Sequence, residues 1–514
     1  MRFRQSFCLL AILTAISQAA VSISPAVAAE EVVLTQESET SANSFQDELA
    51  AFTKNNAYLE RMDAGLHVIR LDDGKEMFSY QKEEKLMPAS TMKIVTGAAA
   101  LKTLGPSYRY PTEMYVDGKV DASGALDGNL YVKGYGDPTM VVEKLWKFVQ
   151  ELKFLGIESI QGDVIFDETY FDSQYQLSGW DKQEDIERGP SYFATLGALS
   201  LNFNTAAFVV GPGNEIGGNG RVLLETAADG YVELENTTVT GGAGSRRWLE
   251  VTREITENGM KFTFDGVLPE GSNTFRVYRT VADPTAHFMA AWKSMETQQG
   301  LKVKGSHLRG ETPKDARLLH RTQSPPLAAI LMNMNKYSNN FIAEQVLKTL
   351  GAEQTEGIGS TETGLHVING YLKSIGVQDG DHVLINGSGL SRNSFFKPTV
   401  LTAVLKDMGK DPAVQAEFRA SLSIAGLDGT LWKRMRENTG QMRGKTGTID
   451  GVHCLVGFFQ SENGTEYVYA FLMNGLRGRI SRAKNLQDQM LQAMIRSSDT
   501  MAHMNGKSTD SVKP

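Results

Sequence analysis

The strongest constraint on the fold is a change of character in the middle of the chain. From about Tyr108 to Arg279 the sequence runs in short strand-like segments punctuated by glycine, such as "GNLYVKGYGDP" and "MKFTFDGVLPEGSNTFRVYRT". One amphipathic helix, "VVEKLWKFVQELKFLGI", interrupts them. On either side helical patterns dominate, and each end adds a strand pair. "AGLHVIRLDDGKEMFSYQ" alternates apolar and polar residues about Asp73-Gly74, and "GVHCLVGFFQSENGTEYVYAFLMNG" places two apolar runs around Asn463-Gly464. Both predict hairpins. The expected fold is therefore α/β: a central antiparallel sheet flanked by helices, built from the two ends of the chain, with a β-rich insertion between them. The boundaries drawn from these patterns are 30–107 and 280–498 for the outer domain, 108–279 for one or two inserted β-rich domains, and 499–514 for a polar tail.

The first 29 residues carry a different signal. Arg2 and Arg4 precede an apolar run from about Phe7 to Ile16, and small residues follow at Ala26, Ala28 and Ala29. That order predicts a secretory leader cleaved near Ala29 or Glu30, with an apolar part too short for a permanent span. Cys8 lies inside the apolar run, which argues against lipidation. Its removal leaves Cys454 as the sole thiol, so no intrachain disulfide is expected. Stability must then come from cores, and roughly 485 residues are ample for more than one. The composition, 41% hydrophobic and 22% charged, is that of an ordinary globular chain, and no later apolar run is long enough to anchor it in a membrane. The net charge of −8 becomes two units more negative once Arg2 and Arg4 are lost, which argues against nucleic acid as a partner.

Within the outer domain, "LMPASTMKIVTGAAALKTLG" places Ser90 near the start of a helix and Lys93 three residues later, on the same helix face. An isolated S-x-x-K spacing means little, since serine at a helix start is usually a cap. Two further matches follow in order. "KYSNNF" supplies Ser338-Asn339-Asn340 on an expected helix, and "RGKTGTI" supplies Lys445-Thr446-Gly447 at the start of a strand. S-x-x-K, S-x-N and K-T-G together form a known signature of penicillin-binding proteins and β-lactamases.

With these motifs, "GYGDPTM", "GDVIFDETYFD", "ALSLNFNT", "NGSGLSR" and "AGLDGTL" make the sequence resemble the exported D-alanyl-D-alanine carboxypeptidase/endopeptidases among the class C low-molecular-mass penicillin-binding proteins, from about Phe45 to Arg496. The resemblance implies a β-lactamase/transpeptidase-like catalytic domain whose insertion lies between the first and second motifs. One departure is Asn386, where the family more often has Asp before Gly-Ser-Gly.

A serine hydroxyl is a poor nucleophile unless a base takes its proton. No G-x-S-x-G elbow is present, and none of the eight histidines lies in a triad context. The resemblance implies that Lys93 is the base, neutral through burial and the nearby charge of Lys445. It further implies Ser338 as proton relay to the leaving amine and Asn340 as the group holding Lys93 and the substrate amide. Lys445, Thr446 and Thr448 would bind the terminal carboxylate, and the backbone N–H groups of Ser90 and Thr448 the oxyanion. After Gly447 the strand would pair with the peptide backbone. The implied partners are peptidoglycan peptides and β-lactams, with no cofactor. Asp167 and Trp180 are candidates for meeting a stem-peptide amine, although an exposed Asp at a strand end is the simpler and preferred reading of Asp167.

Other readings remain open in the sequence. "KYSNN" also fits Tyr337-x-Asn339, the class C β-lactamase pattern, and one residue is about 100° around a helix, so both frames cannot face one pocket. A serine β-lactamase or related esterase, and a non-catalytic cell-wall binding module, are the alternatives in function. The histidines lack ligand spacing, so no metal is assigned. Cys454, within "VHCLVGFF", is expected to be a core residue. The apolar face of "SRAKNLQDQMLQAMIRSS" is expected to pack on the sheet rather than on a membrane.

Overall fold

The computed structural model describes residues 45–496 except 55, 181–186, 226–227, 229, 356 and 479. The leader and the polar tail lie outside the described residues, as does Ser44, which the sequence "SFQDELAAFTKN" offers as the cap of a helix ahead of the first hairpin.

The central sheet has six strands, all antiparallel to their neighbours: Glu76–Tyr80, Asp63–Arg70, Glu466–Asn474, Val452–Gln460, Met442–Ile449 and Ser423–Ile424, in that spatial order. The N-terminal hairpin thus pairs directly with the C-terminal one. Positive φ values at Gly74 and Gly464 provide the two hairpin turns.

Alternation along the central strands separates two cores. Val468, Ala470 and Leu472 face one core, whereas Tyr467, Tyr469, Phe471 and Met473 face the other. On the first side pack the helices Met92–Leu104, Leu327–Lys336, Asn340–Thr355 and Pro398–Lys410. The second side is closed by the C-terminal helix Ile480–Arg496, through Leu486, Met490, Leu491, Met494 and Ile495. Cys454 sits in the first core, where burial pushes its thiol up to about 12.

Helix Met92–Leu104 is buried on every face along its first ten residues, so its lysine, Lys93, goes inside with the apolar side chains. The helix ends at Gly105, whose φ of 82° few other residues accept.

The insertion contains two β-rich cores and extends past the expected boundary at residue 279. One core lies beneath a five-stranded sheet in the order His307–Arg309, Val164–Asp167, Leu130–Gly134, Pro111–Val116 and Arg317–Gln323. Helix Pro284–Gln299 belongs to it, with Phe288 and Trp292 packed on Phe166. Residues up to Gln323 therefore complete the inserted sheets rather than the outer domain. The return strand Arg317–Gln323 has no buried residue, so apolar patterning does not mark it; its pairing with Pro111–Val116 does. A second core is formed around Phe208, Phe262 and Phe264 by sheets on Thr205–Gly211 and Gly259–Pro269.

Candidate active site

Ser90 lies in the single turn Ala89–Thr91 that leads into helix Met92–Leu104. Ala89 has φ 46°, a left-handed conformation that redirects the chain just before the nucleophile candidate. Lys93, one helical turn on, places Nζ 3.0 Å from Ser90 Oγ. The same nitrogen donates to Asn340 Oδ1 at 2.7 Å and to the Ser388 carbonyl at 2.7 Å.

Lys93 is fully buried, and burial brings its amine down to about 7 against the opposing pull of Glu344. Lys445 is also buried and also held well below the ordinary lysine value, first by burial and then by the charge of Lys93. Loss of water is the first cause of both shifts, and the repulsion between the two amines, which acts on each alike, favours a state with only one of them charged.

Ser338 is not on a helix. It occupies the connection between Leu327–Lys336 and Asn340–Thr355 with φ 57°. This left-handed residue changes the chain direction, so a helical wheel does not describe the motif. Ser338 Oγ accepts from Lys445 Nζ at 2.9 Å. Tyr337 is 75% exposed, and Asn339 spends its Oδ1 on the backbone N–H of Ile342 as a helix cap. Asn340 also donates its amide to the Tyr192 carbonyl at 2.8 Å, tying the site to the insertion.

The third motif lies on the strand Met442–Ile449. Lys445 donates to Ser338 and to the Thr446 carbonyl, Thr446 Oγ1 donates to Thr430, and Thr448 Oγ1 lies 2.8 Å from His453 Nδ1. Burial lowers His453 to about 3, with Arg434 adding to the effect, so its ring is neutral at physiological pH. Gly447 is required by contact: a Cβ there would lie 2.7 Å from the Pro88 carbonyl and 3.1 Å from the Ser90 nitrogen. Any side chain would push the strand away from the turn that carries Ser90.

Ser90, Ser338, Asn340 and Thr448 open onto one cavity of about 410 Å³, with Trp180 and Tyr192 contributed by the insertion. Trp180 lies at this pocket, but Asp167 does not line it. Its carboxylate is fully buried inside the insertion, 3.0 Å from Lys133 Nζ, and accepts from the backbone N–H groups of Thr169 and Thr312. Burial alone would raise Asp167; these hydrogen bonds outweigh it and hold the carboxyl below its usual range. Asp167 is therefore neither an exposed strand-end residue nor a group available to a ligand, because its acceptor sites are turned to the loops it holds.

Glu344 was not singled out in the sequence. It lies one turn after Asn340 on the same helix face, where its buried carboxylate accepts from the backbone N–H groups of Gly387 and Ser388 at 3.0 and 2.7 Å. Burial raises its pKa, opposed by these hydrogen bonds and by Lys93. An acidic residue four positions after a motif asparagine, and so on the same helix face, is the signal that could have found it. Asn386, the departure from the family pattern, has a local explanation. Its Oδ1 accepts from Gly389 as a carboxylate would, while its Nδ2 donates to the Ser178 carbonyl, which a carboxylate could not do.

A hydroxyl, a desolvated amine 3.0 Å from it and a second hydroxyl held by a second lysine converge from three distant segments, an arrangement suited to a serine hydrolase. The D-Ala-D-Ala carboxypeptidase 3 (S13) family matches residues 45–496, and the chain belongs to that family of serine carboxypeptidases. A D-alanyl-D-alanine carboxypeptidase from Actinomadura sp. (strain R39) is 33% identical over 434 residues, covering 82% of this chain and 79% of that protein. The D-alanyl-D-alanine carboxypeptidase DacB of Haemophilus influenzae is 24% identical, covering 81% of this chain and 86% of that protein. Penicillin binding protein 4 from Haemophilus influenzae shares the fold, with a TM-score of 0.74 at 24% identity over 85% of this chain and 97% of that one. A complex of that protein with a β-lactam superposes with a TM-score of 0.69 at 22% identity, covering 87% and 97% of the two chains.

Proposed function

We propose that this carboxypeptidase cleaves the terminal D-Ala-D-Ala bond of peptidoglycan stem peptides through an ester on Ser90, and that β-lactams acylate the same oxygen. The observation that carries this reading is the buried Lys93 amine 3.0 Å from Ser90 Oγ. A neutral amine at that distance takes the hydroxyl proton as Oγ attacks the penultimate D-Ala carbonyl. The backbone N–H groups of Ser90 and Thr448 receive the oxyanion. Ser338, held by Lys445, passes its proton to the departing amine as the C–N bond breaks and takes in its place the one that Lys93 collected from Ser90, which leaves the lysine neutral again. Water, deprotonated by the same lysine, then attacks the ester and releases the shortened peptide with Ser90 restored.

The terminal carboxylate binds at Lys445, Thr446 and Thr448. Lys445 is deprived of water in the free enzyme, and an arriving carboxylate favours its charged form, so substrate binding and Lys445 protonation are coupled. Asn340 holds Lys93 on one side and the substrate amide on the other. These steps need no cofactor. Stem peptides lie outside the cytoplasmic membrane, in keeping with the leader pattern in residues 1–29, and no helix of the described residues is long and apolar enough to cross a membrane.

The test is a labelled penicillin followed by peptide mapping. A long-lived adduct on Ser90, absent from folded Ser90→Ala, supports the proposal, as does D-alanine released from pentapeptide muropeptides. A rapidly released adduct would instead indicate a β-lactamase, and no adduct a binding module.

A further inference from the structure

We infer that His453 is a positioning residue for substrate selection: its ring donates to the Thr448 hydroxyl, so that the hydroxyl turns its own proton to the pocket and gives it to the terminal carboxylate of the substrate. The inference rests on the function proposed above and adds to it the residue that makes Thr448 a donor.

Thr448 and His453 stand directly opposite each other on the antiparallel strands Met442–Ile449 and Val452–Gln460, where opposed side chains share a face. Thr448 Oγ1 lies 2.8 Å from His453 Nδ1. A hydroxyl can donate or accept in such a contact, and a neutral imidazole carries its proton on one nitrogen only. The direction of the bond therefore depends on what meets the other nitrogen. Nε2 meets the guanidinium of Arg434, whose Nη1 is 3.4 Å away. A guanidinium only donates, so Nε2 must offer its lone pair. The ring proton then sits on Nδ1 and is donated to Thr448 Oγ1.

The C-terminal helix Ile480–Arg496 fixes this arrangement from the far side. Arg434 donates through Nε and Nη2 to the Asp488 carboxylate at 3.0 and 2.7 Å, and through Nη2 to Gln487 Oε1 at 3.3 Å. Gln487 donates in turn to the His453 carbonyl at 3.4 Å. The helix thus holds both the guanidinium and the strand residue that it meets. His453 is 1% exposed, and burial together with the charges of Arg434 and Lys484 opposes a second ring proton. A doubly protonated ring would also set an Nε2–H against the donors of Arg434.

The consequence falls on the Ser90 pocket, which Thr448 lines. The two motif threonines differ there. Thr446 Oγ1 donates its proton to Thr430 Oγ1 at 2.8 Å, whereas Thr448 accepts from His453 and keeps its proton for a ligand. An O–H donor aimed at a carboxylate makes a charge-assisted bond, stronger than the bond it makes to a neutral group. His453 therefore favours substrates with a free terminal carboxylate without touching them.

The experiment compares the wild type with His453→Leu, which removes both ring nitrogens, and with His453→Asn, whose amide can place an N–H where Nδ1–H lies. Two substrates are used: a D-Ala-D-Ala peptide with a free terminal carboxylate, and a D-alanyl thioester whose leaving group bears no carboxylate. In the leucine variant KM for the peptide is expected to rise about tenfold, the scale of one hydrogen bond to a charged group, with kcat within a factor of about two and thioester kinetics unchanged. The asparagine variant should recover most of the lost KM. Nitrogen NMR of histidine-labelled wild type, with the His453 signals assigned by their loss in His453→Asn, should show the proton on Nδ1; this reading stands even if the leucine variant does not fold. An Nε2–H tautomer, an unchanged KM in the leucine variant, equal losses on both substrates, or an asparagine variant with the peptide KM raised tenfold would overturn the inference while the proposed function stands. Absence of both D-alanine release and penicillin acylation in the wild type would overturn the proposed function, and the inference with it.

Discussion

Glu344 reaches Lys93 through one residue: its Oε1 accepts the Ser388 N–H at 2.7 Å, and the Ser388 carbonyl accepts from Lys93 Nζ at 2.7 Å. The carboxylate therefore both shapes the loop that orients the amine and opposes the loss of its proton. Glu344→Gln keeps the shape but not the charge, and its amide group can satisfy only one of the two N–H donors. Lys93 then loses a stabiliser of its protonated form, so its pKa falls. The acid limb of the acylation rate against pH is expected to move to lower pH, with a loss of about 1–3 kcal/mol in stability from the unsatisfied donor. Stopped-flow acylation and urea melts measure the two effects separately.

Lys93 itself has a pKa lowered to about 7, first by burial. A base acts when deprotonated, so acylation by penicillin should rise as pH increases through about 7 and level off above it. Lys93→Arg keeps a cation that stays protonated far above this range and should reduce acylation nearly as completely as Ser90→Ala. Near-normal labelling of the arginine variant would remove Lys93 from the mechanism.

The left-handed Ser338 permits a clean comparison with its neighbour. Ser338→Gly retains the backbone and removes the hydroxyl, and is expected to lower turnover by about 10² or more. Tyr337→Phe, at a side chain 75% exposed, should leave turnover within a factor of about two, as for an ordinary surface change. The reverse order in a steady-state D-alanine assay would reinstate the tyrosine frame.

Gly447 sets the gap between its strand and the turn that carries Ser90. In Gly447→Ala the new methyl would meet the Pro88 carbonyl at 2.7 Å, so the strand or the Ser90 turn must shift. A displacement of about 1 Å in a reacting constellation costs on the order of 10² in rate. The acylation rate should fall on that scale while the folded fraction, followed by circular dichroism, is retained. Wild-type acylation would show that the close approach is unnecessary.

Asp167→Asn tests the corrected role of that residue. The substitution leaves Lys133 without its carboxylate partner, although Lys133 is partly exposed and water softens the loss. Stability should fall by about 1–3 kcal/mol in urea melts. KM for substrates bearing a free stem-peptide amine should not change relative to acetylated ones. A KM change confined to the free amine would return Asp167 to substrate binding.

The helix start at Ser90, the spacing to Lys93, the Asp73-Gly74 and Asn463-Gly464 turns and the apolar run "VHCLVGFF" are all readable along the chain, because each depends on neighbouring residues. Chemistry carried by three short motifs was legible for the same reason, and the order of the motifs identified the family. What lay beyond the sequence is what packing brings together. Arg317–Gln323 joins the insertion because it pairs with a strand some two hundred positions earlier, a partnership that its own apolar pattern does not announce. Ser338 leaves the helix because the connection between two packed helices demands a left-handed residue there. Asp167 turns inward because Lys133, Thr169 and Thr312 meet around it, and Glu344 becomes part of the site because the loop at Ser388 folds over its helix. Local periodicity specifies which face a residue presents, whereas burial and long-range pairing decide what that face meets and therefore its charge, its reach and its role.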